Sequence, residues 1–195
     1  MQLWPSTFFC LIGGDMALIY EDTRQQRDKH TTKHLWFGAH GVELVRKKLE
    51  FGDYESDGSN ISIDTKRGIQ EICKNVTRDH QRFVREIERA ECAGYRLVFL
   101  IEQGKPFSKL EDLAIWRNDV CSRCTYRRYG KCDVKTTKCI KFARKPVQGQ
   151  TLLKILLSIQ AVHGCSFELV SPSDSARRIC ELLGVTYDDG PGGAI

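Results

Sequence analysis

The sequence predicts an α/β fold, in which helices flank a central β-sheet. The main observation is alternation: segments rich in apolar and β-branched residues are followed by segments in which apolar residues recur every three or four positions. A second observation is size, because 195 residues with 41% apolar and 28% charged residues can bury a sizeable core. We therefore expect one main domain with one small insert.

Three strands and a helix are predicted in the first half of the chain. The strands are MALIYEDTR (16–24), VELVRKKL (42–49) and NISIDTK (60–66), and the turn signal SDGSN precedes the third. Apolar residues at helical spacing predict one long amphipathic helix from residue 68 to about residue 93. Gly94 supplies the expected end of that helix.

The second half adds two strands and two helices. The apolar stretch YRLVFLIEQ (95–103) has the composition of a parallel strand that is buried on both faces. Residues 151–164 have the amphipathic pattern of a helix, CSFELVSP (165–172) is typical of a strand, and 173–184 is predicted as a helix. No apolar run approaches the roughly 18 residues needed to cross a bilayer, so we expect no membrane contact.

The main domain is predicted to span residues 16–186. Residues 1–15 lack the basic segment and the cleavage site of a secretory signal, so we expect an N-terminal extension, with translation beginning at Met16 as the favoured alternative. The tail, 187–195, should be disordered. Nine cysteines are an odd number in a chain whose size needs no disulfides, which indicates a reducing, cytoplasmic compartment.

Acidic residues and one lysine stand near the ends of predicted strands. In the strand 60–66 side chains alternate, so Asp64 and Lys66 share one face, which we expect to point away from the core. Asp53 precedes the turn that leads into this strand, and a hairpin brings it back beside Asp64. Asp22 ends the first strand, where a sheet can present it to the same place. Three converging carboxylates would repel one another without a divalent cation, and oxygen ligands suit Mg²⁺ or Mn²⁺.

Lys66 completes a set of groups suited to phosphodiester hydrolysis. Its ammonium group can orient or deprotonate a water, or neutralise charge that builds up on a phosphate. The alternative is structural, because Asp-x-Lys occurs on strands by chance and Asp53 after Gly52 has the composition of a turn. The order of the whole set favours the catalytic interpretation.

The stretches YEDTRQQ, KLEFGDY and IDTKRGIQEI, followed by the long helix and YRLVFLIE, resemble the XPF-type nuclease domain of the PD-(D/E)XK restriction-endonuclease-like superfamily. The family pattern is Asp-x-Arg-Glu after the first strand, then Gly-Asp, then Glu-Arg-Lys on the third strand. The similarity is strong over residues 16–104 and loose over 149–186. It implies a mixed central sheet flanked by helices and metal-dependent cleavage of branched DNA, in DNA repair or recombination. Compact phage members have this layout, which points to a bacterial or phage-infected cell.

The resemblance assigns four residues to catalysis. Asp22 matches the first acidic position and Asp53 matches the Gly-Asp aspartate. Asp64 matches the glutamate of the third-strand motif and Lys66 matches its lysine. The three aspartates are the expected ligands of Mg²⁺ or Mn²⁺.

Two positions depart from the family pattern. Gln25 stands where the family has the glutamate of Asp-x-Arg-Glu, and Thr65 replaces the arginine before the lysine. Glutamine can bind a metal or orient water through its carbonyl, but it carries no charge, so its role stays open. Three nearby histidines show no ligand spacing and are expected at the surface. They are His30, His34 and His40.

A second group of candidate ligands lies in CSRCTYRRYGKCDVKTTKC, where four cysteines are spaced C-x2-C-x7-C-x6-C. The first pair has the spacing of structural zinc sites, and four thiolates suit tetrahedral Zn²⁺, although the second pair is more widely spaced. An iron–sulfur cluster and a basic loop with free thiols are the alternatives. The expected zinc ligands are Cys121, Cys124, Cys132 and Cys139.

The segment that contains these cysteines, residues 117–145, is also strongly basic, and we call it the insert. It has ten Lys or Arg and two Asp, a net charge of +8, whereas the rest of the chain sums to −3. Basic residues interleaved with Tyr126 and Tyr129 suit a nucleic acid backbone, so the insert should grip DNA near the cleavage site. The candidate DNA-binding residues are Arg123, Arg127, Arg128 and Lys131 in the insert, and Arg78 and Arg82 on the long helix.

These observations favour a Mg²⁺-dependent, structure-specific DNA endonuclease that acts on flaps or Holliday junctions. One alternative is a non-catalytic, zinc-containing DNA-binding protein, in which Gln25 marks a decayed site. Another is a nuclease that acts on single-stranded or sequence-specific DNA. The expected partner is branched DNA, and a homodimer is an open alternative to a single copy.

Overall fold

The computed structural model describes residues 17–25, 30–133 and 138–188. Within these ranges strands and helices alternate, which confirms the α/β class. The strands are β1 (Leu18–Asp22), β2 (Glu43–Lys47), β3 (Tyr54–Glu55), β4 (Ile61–Lys66), β5 (Arg96–Glu102) and β6 (Ser166–Val170). The α-helices are α1 (Thr31–Ala39), α2 (Ile69–Thr77), α3 (His80–Cys92), α4 (Asp119–Ser122), α5 (Thr125–Arg128), α6 (Gly149–His163) and α7 (Ser175–Leu183). A 3-10 helix spans Leu110–Ile115.

The strands form one sheet in the order β2-β1-β3-β4-β5-β6. Neighbouring strands are parallel, except that β3 runs antiparallel to both β1 and β4. The sheet is therefore mixed, as the resemblance implies. Because the other strands all run in one direction, their C-terminal ends and the start of β3 meet at one edge, which we call the C-terminal edge. Ligands of open α/β sheets bind outside this edge.

Helices cover both faces of the sheet. On one face, α2, α3 and α6 pack over an apolar layer in which the ring of Phe99 lies 4.7 Å from that of Phe83 and 5.0 Å from that of Phe167. On the other face, α1 and α7 pack over a second layer, which includes Phe37. Strand β5 contributes to both layers, and residues 97–101 are at most 2% exposed, which confirms the predicted strand that is buried on both faces.

The helix predicted over residues 68–93 is in fact two helices, α2 and α3, so the expectation of one helix is wrong. In the last turn of α2, the hydroxyl of Thr77 donates to the carbonyl of Cys73 at 2.6 Å. Such a bond to the carbonyl four residues earlier bends helices. Val76 and Phe83, on either side of the break, are both buried in the same apolar layer, which explains why the helical spacing continues through it.

Helix α1 lies in a segment for which the sequence predicts only a connection. Its buried residues are Lys33 and Phe37, while Leu35 is 71% exposed. With a charged residue inside and a large apolar residue outside, the helix has no continuous apolar stripe. Apolar spacing therefore gave no signal for a helix that brings polar side chains to the C-terminal edge.

The first two residues of the predicted tail are packed. The ring of Tyr187 lies 5.2 Å from that of Trp36, and the N–H of Asp188 donates to the backbone at the end of α1 at 3.0 Å. Residues 189–195 and the predicted extension 1–15 lie outside the described residues. In the part of the chain that the structure describes, no helix is long and apolar enough to cross a membrane.

Candidate active site

Gly52 allows the chain to place Asp53 against strand β4. The φ of Gly52 is +55°, and a Cβ there would lie 2.4 Å from the Oγ of Ser62 and 2.8 Å from the carbonyl oxygen of Ile63. Glycine is the residue that tolerates both this backbone conformation and this close approach. The N–H of Asp53 then donates to the same carbonyl of Ile63 at 2.6 Å. The predicted hairpin thus brings Asp53 back beside the third-strand motif.

Three donors hold the carboxylate of Asp53 in one orientation. The N–H and the hydroxyl of Thr65 donate to its Oδ2 at 2.8 Å and 2.6 Å. Its Oδ1 accepts from the side-chain amide of Gln25. The two residues that depart from the XPF-type pattern are therefore the two that position this aspartate.

Asp64 and Lys66 form a buried ion pair at the end of β4. The Nζ of Lys66 donates to the Oδ2 of Asp64 at 2.7 Å, and the two side chains are 13% and 11% exposed. The expectation that their face points away from the core is wrong. Helices α2 and α3 cover that face, and Lys66 Nζ lies 5.8 Å from the ring centre of Phe99. A sheet with helices on both sides has no solvent face for its central strands.

Burial and neighbouring charges set the ionisation of this pair. Burial raises the pKa of Asp64 to about 7, and while Lys66 opposes the shift, the charges of Asp53 and Glu86 reinforce it. Burial lowers the pKa of Lys66, but the carboxylate of Asp64 outweighs this effect, and the pKa is raised. Lys66 therefore stays an ammonium group at neutral pH. The crowded carboxylates are in turn a place where a cation would relieve repulsion.

Asp22 lies beside Asp53 along the backbone, but its carboxylate has other partners. Its N–H donates to the carbonyl of Asp53 at 2.9 Å. Its carboxylate accepts from the Nε of Arg24 at 2.5 Å and from the N–H of Leu49 at 3.3 Å. Among the described residues, no three His, Cys, Asp or Glu side chains are grouped so as to hold a metal ion. The structure thus brings the other three predicted catalytic residues together and ties Asp22 to its own turn.

His30 is buried behind Gln25, so its expected surface position is wrong. It is 7% exposed, and its Nε2 lies 3.1 Å from the Oε1 of Gln25. Burial and then the charge of Lys33 lower the pKa of His30, so the ring is neutral at pH 7. Because the amide oxygen only accepts, Nε2 carries the proton and donates. The chain of contacts therefore runs from His30 through Gln25 to Asp53.

His34 and His40 are half-buried rather than exposed, which also corrects the expectation. The Nε2 of His34 lies 2.8 Å from the Oε1 of Glu21, and the hydroxyl of Tyr54 donates to the same oxygen at 3.1 Å. The Nδ1 of His40 donates to the carbonyl of Trp36 at 2.7 Å. The burial of these two histidines could not be predicted from the residue type, because it depends on helix α1, which the sequence pattern does not indicate.

A further buried polar group joins three elements at the C-terminal edge. The ammonium group of Lys33 in α1 donates to the Oε1 of Glu102, and the hydroxyl of Ser175 donates to the same oxygen at 2.6 Å. Sequence reasoning missed this group. The available signal was Glu102 itself, a carboxylate that ends an otherwise apolar buried strand.

The described insert cysteines form no disulfide, and Cys121 packs against the body of the domain. That residue is 8% exposed, and its sulfur accepts from the side-chain amide of Gln148 at 3.2 Å. The other three thiols are half-buried and free. Four thiols are a donor set that suits zinc, but in the described residues they form no metal-holding group, and residues 134–137 between the last two lie outside the description.

Most of the predicted DNA-binding side chains lie at the surface. The side chain of Arg123 is 81% exposed, and Tyr129 is 71% exposed. Helices α4 and α5 are only four residues each, so the insert presents its basic groups on short turns. The other exposed candidates are Arg128, Lys131, Arg78 and Arg82, while Arg127 is half-buried.

One comparison with known proteins identifies the domain. The ERCC4 domain matches residues 22–182, from the end of β1 into α7, which is most of the chain and includes every predicted catalytic residue. No curated protein matches the sequence at a significant level. The resemblance seen in the sequence is confirmed: the chain belongs to the ERCC4 domain family and carries an XPF-type nuclease domain.

Proposed function

We propose that this protein is a structure-specific endonuclease that uses Mg²⁺ or Mn²⁺ to hydrolyse phosphodiester bonds in branched DNA, such as flaps or Holliday junctions. Membership of the ERCC4 family supports a DNA endonuclease. The observation that carries the proposal is the placement of Asp53 beside the Asp64–Lys66 ion pair at the C-terminal edge. Such an activity serves DNA repair or recombination, in a bacterial or phage-infected cell.

The carboxylates suit a hard divalent cation. Asp53 and Asp64 would hold it through oxygen atoms, which is the ligand type that Mg²⁺ prefers. When bound, Mg²⁺ supplies a Lewis acid beside the scissile phosphate. Asp22 would join only after its carboxylate left Arg24, and because the Asp22 side chain is 3% exposed, the cation would have to replace Arg24 as the partner of a buried charge.

Lys66 acts through its charge in this proposal. Its pKa is raised, so it holds its proton at neutral pH and is a poor general base. A buried ammonium group is instead well suited to stabilise negative charge that develops on the phosphate oxygens. Its bond to Asp64 fixes it on the strand end, where a reacting phosphate would meet both groups.

The departures from the family pattern support an intact site rather than a decayed one. Thr65 provides two of the donors on Asp53, and Gln25 provides the third. Thr65 is the residue between Asp64 and Lys66, so its two bonds hold the Asp53 carboxylate next to the ion pair. Gln25 thus has a positioning role that a neutral side chain can perform.

The insert has a supporting role in the proposal, as a zinc-held segment that grips DNA. Its four thiols would leave no open coordination position, so the zinc would be structural and would contribute folding energy. The bond from the Gln148 amide to the sulfur of Cys121 is of a kind that a thiolate ligand also accepts. The charge excess of the insert would make DNA binding dependent on salt.

A cleavage assay on a panel of labelled DNAs tests the proposed function. The panel contains a flap, a four-way junction, a plain duplex and a single strand, each with Mg²⁺ and with EDTA. We expect wild-type protein to cut branched DNA in Mg²⁺ alone. We expect Asp53→Asn and Lys66→Ala to lose at least about a hundredfold in rate, with DNA binding retained.

Lys154→Ala is the matched control, since it removes an exposed lysine of α6. Thermal melting of each variant shows whether it is folded. Binding without cleavage of any DNA in the panel would identify a non-catalytic DNA-binding protein. Equal cleavage of plain duplex or of single strands would contradict the specificity for branches.

A further inference from the structure

A large cavity opens next to the third-strand motif. Its volume is about 1270 Å³, and it lies between residues 67–78, residues 115–120 and residues 142–147. Arg67 and Gly68, which line it, directly follow Lys66 in the chain. The cavity therefore joins the C-terminal edge of the sheet to the distal part of the insert. It is larger than the roughly 300 to 1,000 Å³ that a single drug-sized ligand needs.

Part of the cavity wall is apolar and open to solvent. Ile115 is 70% exposed and Phe142 is 39% exposed. Trp116 lies deeper, with 7% of its surface exposed. Exposed apolar groups that line a concave site mark it as a binding surface, and an aromatic ring offers a flat face on which another ring can stack.

The rest of the wall is strongly basic. Six Lys or Arg line the cavity, against two carboxylates. Both carboxylates have partners. Glu71 accepts from the N–H of Arg67 at 2.9 Å, and the Oδ2 of Asp119 lies 3.6 Å from the guanidinium group of Arg123. In the described part of the chain, the guanidinium groups of Arg67, Arg117 and Arg144 form no ion pair and are left for an anion. The lining residues in question are Arg67, Lys74, Arg78, Arg117, Arg144 and Lys145.

We propose that this cavity binds an unpaired, single-stranded segment of the branched DNA. Phosphates of the strand contact Arg67, Arg117 and Arg144, and an unpaired base stacks on Phe142. Paired bases in a duplex hide their faces, whereas a displaced strand offers them, and proteins bind single strands by combining basic grooves with stacking platforms. The volume accommodates more than one nucleotide. The inference rests on the proposed function, and it names an unpaired strand as the feature that the enzyme recognises.

In this proposal the insert binds the unpaired strand together with a residue next to the third-strand motif. Phe142 and Arg144 come from the insert, whereas Arg67 follows the catalytic lysine. Because Arg67 directly follows Lys66, a DNA strand held between these groups lies next to the end of β4. The insert thus forms one wall of the cavity and contacts the DNA there.

Binding of a flap that contains 2-aminopurine tests the proposal without cleavage. The duplex carries the fluorescent base in its single-stranded flap, EDTA is present, and a nicked duplex without a flap is the comparison. We expect wild-type protein to quench the fluorescence, because the base stacks. We expect Phe142→Ala to abolish the quenching and to weaken flap binding about tenfold, with binding of the nicked duplex unchanged.

Arg144→Gln is the second variant, and Ile140→Ala, a change at an exposed insert residue outside the cavity, is the control. We expect Arg144→Gln to lower the log–log salt slope of flap binding by roughly one and to leave that of the nicked duplex unchanged. The control should behave as wild type. Quenching that persists in Phe142→Ala, or equal losses on both DNAs in the two variants, would overturn the proposal.

Failure of the proposed function would look different. If wild-type protein quenches flap fluorescence but cuts no DNA in Mg²⁺, the cavity binds a single strand and the proposed nuclease function is wrong. If the protein cleaves flaps without any quenching, it is a nuclease, but the cavity does not bind the unpaired strand.

Discussion

Thr65 donates two hydrogen bonds to a single oxygen of Asp53, one from its N–H at 2.8 Å and one from its hydroxyl at 2.6 Å. The first bond belongs to the backbone and survives any substitution that keeps the strand. The second depends on the side chain. The orientation of the aspartate therefore depends in part on a residue that differs from the arginine of the family pattern.

Thr65→Val should slow cleavage while the protein stays folded. Valine keeps the branched shape on the strand, but it removes one donor to a carboxylate, and such a bond is worth about 1.5 to 3 kcal/mol. We expect kcat in saturating Mg²⁺ to fall about tenfold or more. Thr65→Ser keeps the hydroxyl and should retain most of the rate. Equal rates in the valine variant and wild type would show that the hydroxyl does not position Asp53.

Gln25→Glu should make stability depend more strongly on Mg²⁺. The change removes a donor from Asp53 and sets a second carboxylate against it, so the metal-free protein should lose about 1 to 3 kcal/mol. A bound cation would offset this repulsion. In thermal melts we expect a lower Tm in EDTA and a larger rise on addition of Mg²⁺ than in wild type. Gln25→Ala is the control, and its Mg²⁺-dependent rise should not exceed that of wild type.

The cysteines should fall into two groups on alkylation at pH 8. Burial raises the pKa of Cys73 and Cys165 to about 11 and that of Cys180 to about 12. Fewer than about one in a hundred of these thiols are ionised at pH 8, so they should resist iodoacetamide in the folded protein. Exposed Cys92 should react and serves as the internal positive control. Peptide mass spectrometry reads out each site.

The same experiment tests zinc in the insert. Zinc-bound thiolates should be protected in the purified protein and should react after treatment with a strong chelator, while Cys73, Cys165 and Cys180 stay protected. If the insert thiols react fully before chelation, the insert holds no zinc. The thiols concerned are Cys121, Cys124, Cys132 and Cys139.

Replacing Cys121 and Cys124 together by Ser should separate DNA binding from cleavage. We expect the loss of about one zinc per chain, weaker DNA binding and a flatter dependence on salt, because the basic groups lose their arrangement. Mg²⁺-dependent cutting should persist at high enzyme concentration. Elemental analysis, binding titrations in salt and cleavage assays provide the readouts, with Cys92→Ser as the control. Unchanged zinc content and binding would contradict the assigned role of the insert.

The parts of the fold that follow from local pattern could be predicted from the sequence. Strand β5 is apolar at every central position and is buried on both faces, and Gly184 ends α7 with a positive φ of 69°. Gly52 followed by Asp53 indicated a turn, and the structure adds the reason, which is the close approach to β4. In each case the residue type itself carries the information.

The parts that depend on tertiary packing could not be predicted in this way. Whether Asp64 faces solvent or helices depends on the second layer of the fold, since alternation along a strand shows only that two residues share a face. The burial of His30 depends on α1, which lacks an apolar stripe. The contact between Gln25 and Asp53 joins residues 28 positions apart, and no local pattern records such a pair.

Strand β3 contains only Tyr54 and Glu55, yet it connects the two parallel halves of the sheet. Main-chain pairing there is minimal, so the connection depends largely on Tyr54, which is fully buried and donates its hydroxyl to Glu21. Asp53, whose carboxylate we propose to be catalytic, directly precedes this strand. Natural selection for the proposed activity and selection for an unbroken sheet therefore act on neighbouring codons, and this stretch should diverge slowly among homologues.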